Sequence, residues 1–313
     1  MTHAITYTRL GGPEVLELTE VPLPAPGEGQ VAVRIEAVGV NPIDAKLRAG
    51  IRPSPPITAP RRLGSDAAGL VTAVGAGVEG VRVGDAVIVS GGTGLYATDA
   101  VVPASTLTPR PPQVSAAEGA ALGTPVGTAY QTLRSLAVGA RDTLLVHGGS
   151  GAVGQAMVQL AVLRGARVVA TTSDRRADRV RNLGATPVRY GDGLLGRVRD
   201  VAPEGVTVAV DIAGTDEAIA ASLELVADRD RIATLVRGAD ADGLGIRAFL
   251  GGSPRPLNAQ ELAWRAEAMP VAAALMAAGR FGVEIGPELP LADAAEAHRL
   301  VESGVDGKVI LRP

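Results

Sequence analysis

Three glycines in the stretch VHGGSGAVGQ (146–155), Gly149, Gly151 and Gly154, stand at G-x-G-x-x-G spacing. That spacing suits one chemistry, the cradling of a pyrophosphate. The first glycine permits a tight turn after a strand, and the second lets backbone approach the phosphates. The third lets the following helix pack on the strand, and the helix N-terminus favours negative charge. In a chain with 40 glycines the spacing alone is weak, and its context decides. Leu144-Leu145-Val146 reads as a strand before the loop. AVGQAMVQLAVLRG (152–165) reads as a helix stopped by Gly165, and ARVVATTS (166–173) as the next strand. The bland alternative is a tight strand-to-helix turn that holds nothing.

The end of that second strand selects among dinucleotides. An Asp or Glu there accepts from a ribose 2′-hydroxyl and repels a 2′-phosphate. Here the strand ends Thr171-Thr172-Ser173, followed by Asp174, Arg175 and Arg176. Ser173 and an arginine hold a 2′-phosphate through charge-assisted hydrogen bonds, so NADPH is the expected cofactor. Asp174 is the discordant residue, and its alternative role is to cap the helix that follows. The arginines have an alternative as a solvated helix face.

The elements that must carry these residues fall into two textures. The first 110 residues read as β-rich. In VAVRIEAVGV (31–40), Val31, Val33 and Ile35 share one face and Arg34 and Glu36 the other, the period of a half-buried strand. LVTAVGAGVEGVRVGDAVIVS (70–90) repeats the theme between glycine turns, and short strands with frequent turns predict a compact antiparallel barrel. The proline-rich stretch 52–64 reads as a loop and 103–115 as a domain joint. Beyond it, Ser115 and Glu118 form a capping box at the head of a helix over 115–133. Strands at 142–149, 166–173, 186–191, 206–214 and 230–236 then alternate with helices, which predicts a parallel, doubly wound sheet. A helix over 258–278 is expected to break at Pro270, and another spans 290–304. The strand GKVILRP (307–313) is expected to return to the first domain.

Composition excludes several classes. The 313 residues carry a net charge of −3, too little positive field for nucleic acid or an anionic membrane. No apolar run reaches the roughly 18 residues of a membrane span, and MTHAITYTRLGG lacks an apolar signal core, so a cytoplasmic protein is expected. There is no cysteine, which removes thiolate catalysis and cysteine-rich zinc sites. His3, His147 and His298 are far apart in sequence. His147, just before the glycine loop, is expected to hydrogen-bond locally, and Trp264 and Met269 to pack.

Stretches throughout the chain resemble the medium-chain dehydrogenase/reductase superfamily, and more narrowly its zinc-free quinone oxidoreductase (zeta-crystallin-like) branch. They are GGPEVLEL (11–18), GVNPIDAKLRAG (39–50), GSDAAGLVTAVGAGV (64–78), VGDAV (83–87), GTAYQTL (127–133), VHGGSGAVGQAMVQLA (146–161), LGA (183–185) and GKVIL (307–311). Zinc-dependent relatives carry a G-H-E motif where this chain has Gly64-Ser65-Asp66. The resemblance implies a GroES-like β-barrel domain from 1–118 and 258–313 and a Rossmann domain over 119–257, with the nicotinamide in the cleft between them. It implies that Asn41 and Asp44 line that cleft and that Thr128 lies near the nicotinamide ribose. It places Ser150 and the backbone of Gly151, Ala152 and Val153 at the pyrophosphate, and Ser173, Arg176 and Tyr190 at the 2′-phosphoadenosine end. Arg175 is a rival to Arg176. The backbone of Leu235 and Val236 would face the carboxamide, and Lys308 belongs to the cofactor set. A homodimer or homotetramer is implied, with a strand in GIRAFL (245–250) pairing across a two-fold axis.

The implied chemistry is metal-free hydride transfer to a quinone or an activated alkene. A quinone forms a stabilised phenolate, so proximity supplies most of the effect. An enone or alkenal needs a donor for the enolate oxygen and a proton at the α-carbon. Lys46 is the candidate for that task, with an exposed turn beside Arg48 as its alternative. Asn41, Asp44 and Lys46 are therefore the catalytic candidates, and Tyr96 is a candidate for the pocket border. Two rival readings are a non-catalytic NADPH-binding protein and a methyltransferase. The latter ordinarily needs a carboxylate where Thr171-Thr172-Ser173 stand.

Overall fold

The computed structural model describes residues 1–52, 54–249 and 256–313. It divides into two compact units, Met1–Thr124 with Met269–Pro313, and Pro125–Ala268. In chain order the first part runs β1 (Thr2–Tyr7), β2 (Glu17–Val21), β3 (Gln30–Gly39), α1 (Pro42–Arg48), β4 (Arg61–Arg62), β5 (Asp66–Val74), β6 (Ala86–Ser90), β7 (Asp99–Pro103), β8 (Leu107–Pro109) and α2 (Ala116–Ser135). Then follow β9 (Thr143–His147), α3 (Ala152–Leu163), β10 (Arg167–Thr172), α4 (Ala177–Asn182), β11 (Thr186–Arg189), α5 (Leu194–Val201), β12 (Val208–Asp211), α6 (Asp216–Leu225), β13 (Ile232–Thr234), α7 (Gly238–Leu244) and β14 (Arg247–Ala248). The chain ends with α8 (Ala259–Ala277), β15 (Ile285–Pro290), α9 (Ala294–Ser303) and β16 (Lys308–Arg312). No helix of the described residues is long and apolar enough to cross a membrane.

The first unit is built on a mixed sheet ordered β15-β16-β3-β5-β6-β8, with β7 also on β3, and a small sheet β2-β1-β4. Val31, Val33 and Ile35 of β3 face the core as their alternation requires, with Val87, Val89, Val309 and Leu311. The alternation lapses near Ala37, where α2 covers the second face. Ala37, Ala68, Ala117, Ala120, Ala121 and Ile310 form a close cluster of mostly small side chains there. A Cβ on Gly39 would overlap the Ala120 carbonyl. The last strand, β16, pairs antiparallel with β3 at Ile310 with Gly39 and Leu311 with Val38.

The second unit holds a six-stranded sheet ordered β11-β10-β9-β12-β13-β14, with every pairing parallel. The order reverses between β9 and β12, so loops leaving those two strands diverge to opposite sides of the sheet. Such a switch point is where ligands of doubly wound sheets bind. Leu145, Val169, Val188, Ala209 and Ile232, one from each of five strands, share a core with Leu194 and Val198 of α5 and Ile219 of α6.

Several local expectations differ from what forms. The capping box is present, with Ser115 Oγ accepting from the Glu118 N–H at 3.2 Å and Glu118 Oε2 from the Ser115 N–H at 2.8 Å. Helix α8 does not break at Pro270 but runs through it. Burial of Ala268, Met269, Ala272 and Ala273 offsets the lost hydrogen bond. Within the loop expected over 52–64, Arg61 and Arg62 pair with β1. The divide between units falls inside α2 and α8. Of GIRAFL, Arg247 and Ala248 form β14 on β13, and Leu250 lies outside the described residues.

Two glycine substitutions test this packing. Gly39→Ala should lower stability by about 1–3 kcal/mol, because Ala120 sits where the methyl would go. Gly196→Ala, in α5 with open space around it, should raise stability by about 0.5–1 kcal/mol. Urea unfolding of both variants checks the opposite signs.

Candidate active site

The glycine loop of the second unit is shaped by close backbone approach. All five residues of β9 are buried. The tight bend after it belongs to Gly148, at φ +85°, and not to Gly149 as the motif spacing suggested. Gly148 N–H donates to Thr171 Oγ1 at 3.0 Å and Gly149 N–H to Thr171 O at 2.9 Å, tying the loop to the end of β10. A Cβ on Gly149 would lie 2.6 Å from Ala170 Cβ, and one on Gly154 would overlap Gly148 O. Gly151 differs: a Cβ there would meet only Gly148 O, at 3.7 Å. Gly149 and Gly154 are therefore packing glycines, and Gly151, the N-cap of α3, stands at an open surface. The first N–H groups of α3 face the space beside it with no intrahelical partner. A dinucleotide pyrophosphate fits that donor set.

The end of β10 sets the surroundings. Thr171 and Thr172 are buried, Ser173 is half-buried, and Asp174 and Arg175 are exposed. Arg176 is buried and donates from Nη2 to Ser150 O at 3.0 Å, which carries its guanidinium back to the glycine loop. Asp174 turns outward to Arg189 at 3.4 Å. A cavity of about 210 Å³ lies here, lined among others by Gly148, Ser150, Thr171, Tyr190, Thr215 and Glu217. At the next strand ends, Asp211 Oδ1 accepts from the N–H groups of Ala213 and Gly214 at 3.0 and 2.7 Å. Its Oδ2 accepts from Thr234 Oγ1 at 2.8 Å. The N–H groups of Leu235 and Val236 are already used, on Asp211 O and Thr234 Oγ1, so these residues have only their carbonyls to offer. Thr128 is buried in α2 and accepts from Arg265 Nη2 at 3.1 Å.

His147 behaves as a local structural residue. Its Nε2 lies 3.1 Å from Ser222 Oγ, whose proton goes to Ala218 O at 2.8 Å, so the imidazole is the donor of the pair. Burial pushes its pKa down to about 4, against a smaller upward pull from Asp211.

The first unit gathers charged residues that are far apart in sequence. Asn41 caps α1, and its N–H donates to Asp44 Oδ2 at 2.9 Å. Its side-chain Nδ2 donates to Asp66 Oδ2 at 2.7 Å, and its Oδ1 accepts from Lys308 Nζ. Asp66 Oδ2 also accepts from the Thr124 N–H at 2.7 Å, an approach that a side chain on Gly123 would block. Tyr96 donates to Asp44 Oδ2 at 3.0 Å, and His298 Nε2 lies 3.3 Å from the same hydroxyl. Asn41, Asp44, Asp66, Tyr96, His298 and Lys308 are all buried.

Two carboxylates and one ammonium therefore share a dry region. Burial pushes Asp44 up to about 6, with the Asn41 N–H and Lys308 pulling it down and Asp66 pushing it up. Burial lowers Lys308 against the opposing pull of Asp66 and Asp44. It also brings His298 down to about 4, helped by the Arg48 charge. Lys46 is half-buried on α1. Arg48, two residues on, is 1% exposed and ion-paired with Glu302, so the turn that carries Lys46 is not an exposed one. Tyr96 is wholly buried rather than at a pocket border. Sequence reasoning singled out neither Asp66 nor His298 for a role. The available signal for Asp66 was a carboxylate opening an otherwise apolar strand.

Comparison with known proteins adds two family matches. Residues 27–112 match the alcohol dehydrogenase GroES-like domain, and residues 177–311 match a family described as zinc-binding dehydrogenase. The human quinone oxidoreductase is 31% identical over 99% of this chain and 98% of its own length. The Escherichia coli quinone oxidoreductase complexed with NADPH superposes with a TM-score of 0.85 at 26% identity, covering 99% of this chain and 100% of its own. A mycobacterial protein complexed with NADPH gives 0.83 at 31% identity, with both chains fully covered. The two units thus have the expected GroES-like and Rossmann folds. A zinc ion does not fit the residues present. The chain has no cysteine, and among the described residues no group of three or more His, Asp or Glu is placed to hold a metal ion. His147 and His298 each already have a hydrogen-bond partner.

The buried histidines set a pH dependence. Unfolded histidine titrates near 6.5 and folded His147 near 4. The stability held by its neutral form is complete above 6.5 and is lost as pH falls toward 4. Asp44 acts oppositely: its contribution is greatest below the unfolded carboxyl pKa and is lost as pH rises through about 6. His147→Asn, which keeps a donor for Ser222, should flatten the acid slope of unfolding free energy by about 1.4 kcal/mol per pH unit between 6.5 and 4.5. Urea titrations at stepped pH measure that slope.

Proposed function

The chain belongs to the quinone oxidoreductase branch of the medium-chain dehydrogenase/reductase family, and from that premise we propose that it is an NADPH-dependent reductase whose hydride acceptor is a quinone. The observation that carries this reading is the geometry of the β9–α3 loop. Gly151 stands open where Gly149 and Gly154 are packed shut, Arg176 reaches Ser150 beside it, and the carboxylate that follows β10, Asp174, turns away to Arg189. NADPH supplies a hydride when bound, and the remaining work falls to the chain.

The backbone of Gly151, Ala152 and Val153 meets the pyrophosphate. Ser173 and Arg176 meet the 2′-phosphate; Arg175, on the exposed side, is the rival cation. Tyr190 borders the adenosine end, Thr128 the nicotinamide ribose, and the carbonyls of Leu235 and Val236 the carboxamide. Asn41, Asp44 and Lys308 work as one unit rather than as separate contacts, because Asn41 has no side-chain donor left to spare. They hold a fixed, nearly charge-balanced wall at the end of β3. A quinone needs little beyond proximity, since its product oxyanion is delocalised. Lys46 is the half-buried cation that an enone would need for its enolate oxygen. β14, the edge strand of its sheet among the described residues, offers backbone for pairing across a two-fold axis, and a homodimer or homotetramer is the assembly we propose.

The test is loss of nicotinamide absorbance with benzoquinone, phenanthrenequinone, an enal and a simple aldehyde, with NADPH and NADH in parallel. Quinones should be reduced, and the aldehyde should not. Arg176→Ala should raise the KM for NADPH by about 10- to 100-fold, the worth of one charge-assisted contact, and leave NADH nearly unaffected. NADPH binding without turnover of any acceptor would instead support the non-catalytic reading. Lys46→Ala should lower enal turnover about tenfold, or ~1.4 kcal/mol of barrier, and spare the quinones. An unchanged enal rate would remove Lys46 from the chemistry.

A further inference from the structure

Behind Asp44 the structure holds a second rank of titratable groups that none of the chemistry above uses. Helix α1 carries Asp44 and Arg48 one turn apart, and α9 carries His298 and Glu302 at the same interval. Arg48 pairs with Glu302, and Tyr96 stands between Asp44 and His298. Tyr96 and His298 are both 0% exposed, with their rings edge-on and their centroids 5.8 Å apart. A phenol and an imidazole out of water cost free energy unless their polar atoms are matched, and apolar side chains would fill the same space at less cost.

The matching runs in one direction. The tyrosine has a single proton, and it goes to Asp44 Oδ2 at 3.0 Å. The hydroxyl oxygen is then an acceptor, so His298 must present Nε2–H to it. The same carboxylate oxygen receives the Asn41 N–H at 2.9 Å, and the Asn41 side chain receives Lys308. Donors thus converge on Asp44 from two sides, His298 through Tyr96 and Lys308 through Asn41.

We propose that Tyr96 and His298 are positioning residues for the Asn41–Asp44–Lys308 centre, the histidine orienting the phenol and the phenol holding Asp44 as the acceptor that fixes Asn41. The inference rests on the reading of that centre as part of the active site. The groups that act on Asp44 are the Asn41 N–H at the head of its own helix, Asp66 from β5, Lys308 from β16 and Tyr96 from the segment before β7, while His298 from α9 and the Arg48 charge from α1 act through Tyr96. Of these, Tyr96 is the hydroxyl donor whose removal leaves every charge in place. Its loss should make Asp44 harder to ionise, in the direction its hydrogen bond implies.

The full-length chain is tested as Tyr96→Phe, His298→Leu and His298→Gln. The readouts are kcat and KM for quinone reduction against pH, NADPH affinity by fluorescence, and the Asp44 carboxyl titration by carbon-13 NMR, assigned with Asp44→Asn. Tyr96→Phe should move the Asp44 midpoint and the acid limb of kcat upward by about one pH unit and leave NADPH affinity within about twofold. His298→Leu should follow it, and His298→Gln, which retains an N–H donor, should reverse most of the shift. Asp44 midpoints and pH profiles that superimpose on wild type in folded Tyr96→Phe and His298→Leu would overturn the proposal. So would a His298→Gln variant indistinguishable from His298→Leu. If wild type binds NADPH but reduces no acceptor, the functional reading fails and the Asp44 titration alone still decides whether this pair positions it.

Discussion

A buried ammonium needs compensating negative charge close by, and Lys308 imposes that demand on the first unit, where Asp66 and Asp44 supply it from beyond direct contact. It enters on the last strand, near the end of the chain, and its nearest partner, Asn41, lies near the start. Asn41 is held by Asp44 and Asp66, and Asp66 in turn holds the start of the helix turn at Thr124. Removing the lysine would leave two carboxylates facing each other in low dielectric, and removing either carboxylate would strand the lysine. The return of the C-terminal strand to β3 is therefore more than a packing event. It delivers the charge that makes the polar interior of this unit tolerable.

The second unit is organised by a different constraint, the approach of backbone to backbone without side chains between. Gly154 against Gly148 sets how near α3 comes to the end of β9, and Gly149 against Ala170 sets how near the loop comes to β10. Two glycines are spent on closing these gaps so that the third, Gly151, is left at an open helix N-terminus. An anion-binding surface made this way uses backbone dipoles already in place before any ligand arrives. The two units divide the proposed chemistry between a preset backbone cradle and a set of mutually neutralising side chains.

Much of the second unit was legible in the sequence because its signals are local. Strand, turn, glycine and helix occur within about twenty residues there, and the residues after β10 follow directly. Even so, the motif spacing credited the bend to Gly149, whereas the left-handed conformation falls on Gly148, because spacing cannot say which of two adjacent glycines turns. In the first unit the local signals misled more often. The alternative of an exposed turn for Lys46 is local, while the burial of its neighbour Arg48 depends on Glu302, far along the chain. His298 carried no pattern at all, since its partner is Tyr96, some two hundred positions away. Pro270 read as a helix break because the rule for proline is local, while the burial that overrides it is not.

The amino-acid sequence by itself determined most of the segments that form strands and helices, where the glycine loop lies and what charge surrounds it. Those choices rest on backbone preferences and apolar periodicity that act over a few neighbouring residues. Tertiary structure alone decided the strand order β11-β10-β9-β12-β13-β14 and the assembly of Asn41, Asp44, Asp66, Tyr96, His298 and Lys308 into one buried network. Such assembly requires long loops to close, and closing them costs little more for a wrong partner than for a right one. What selects the right partner is the fit of packed layers and the pairing of buried charges, which exist only once the chain has folded.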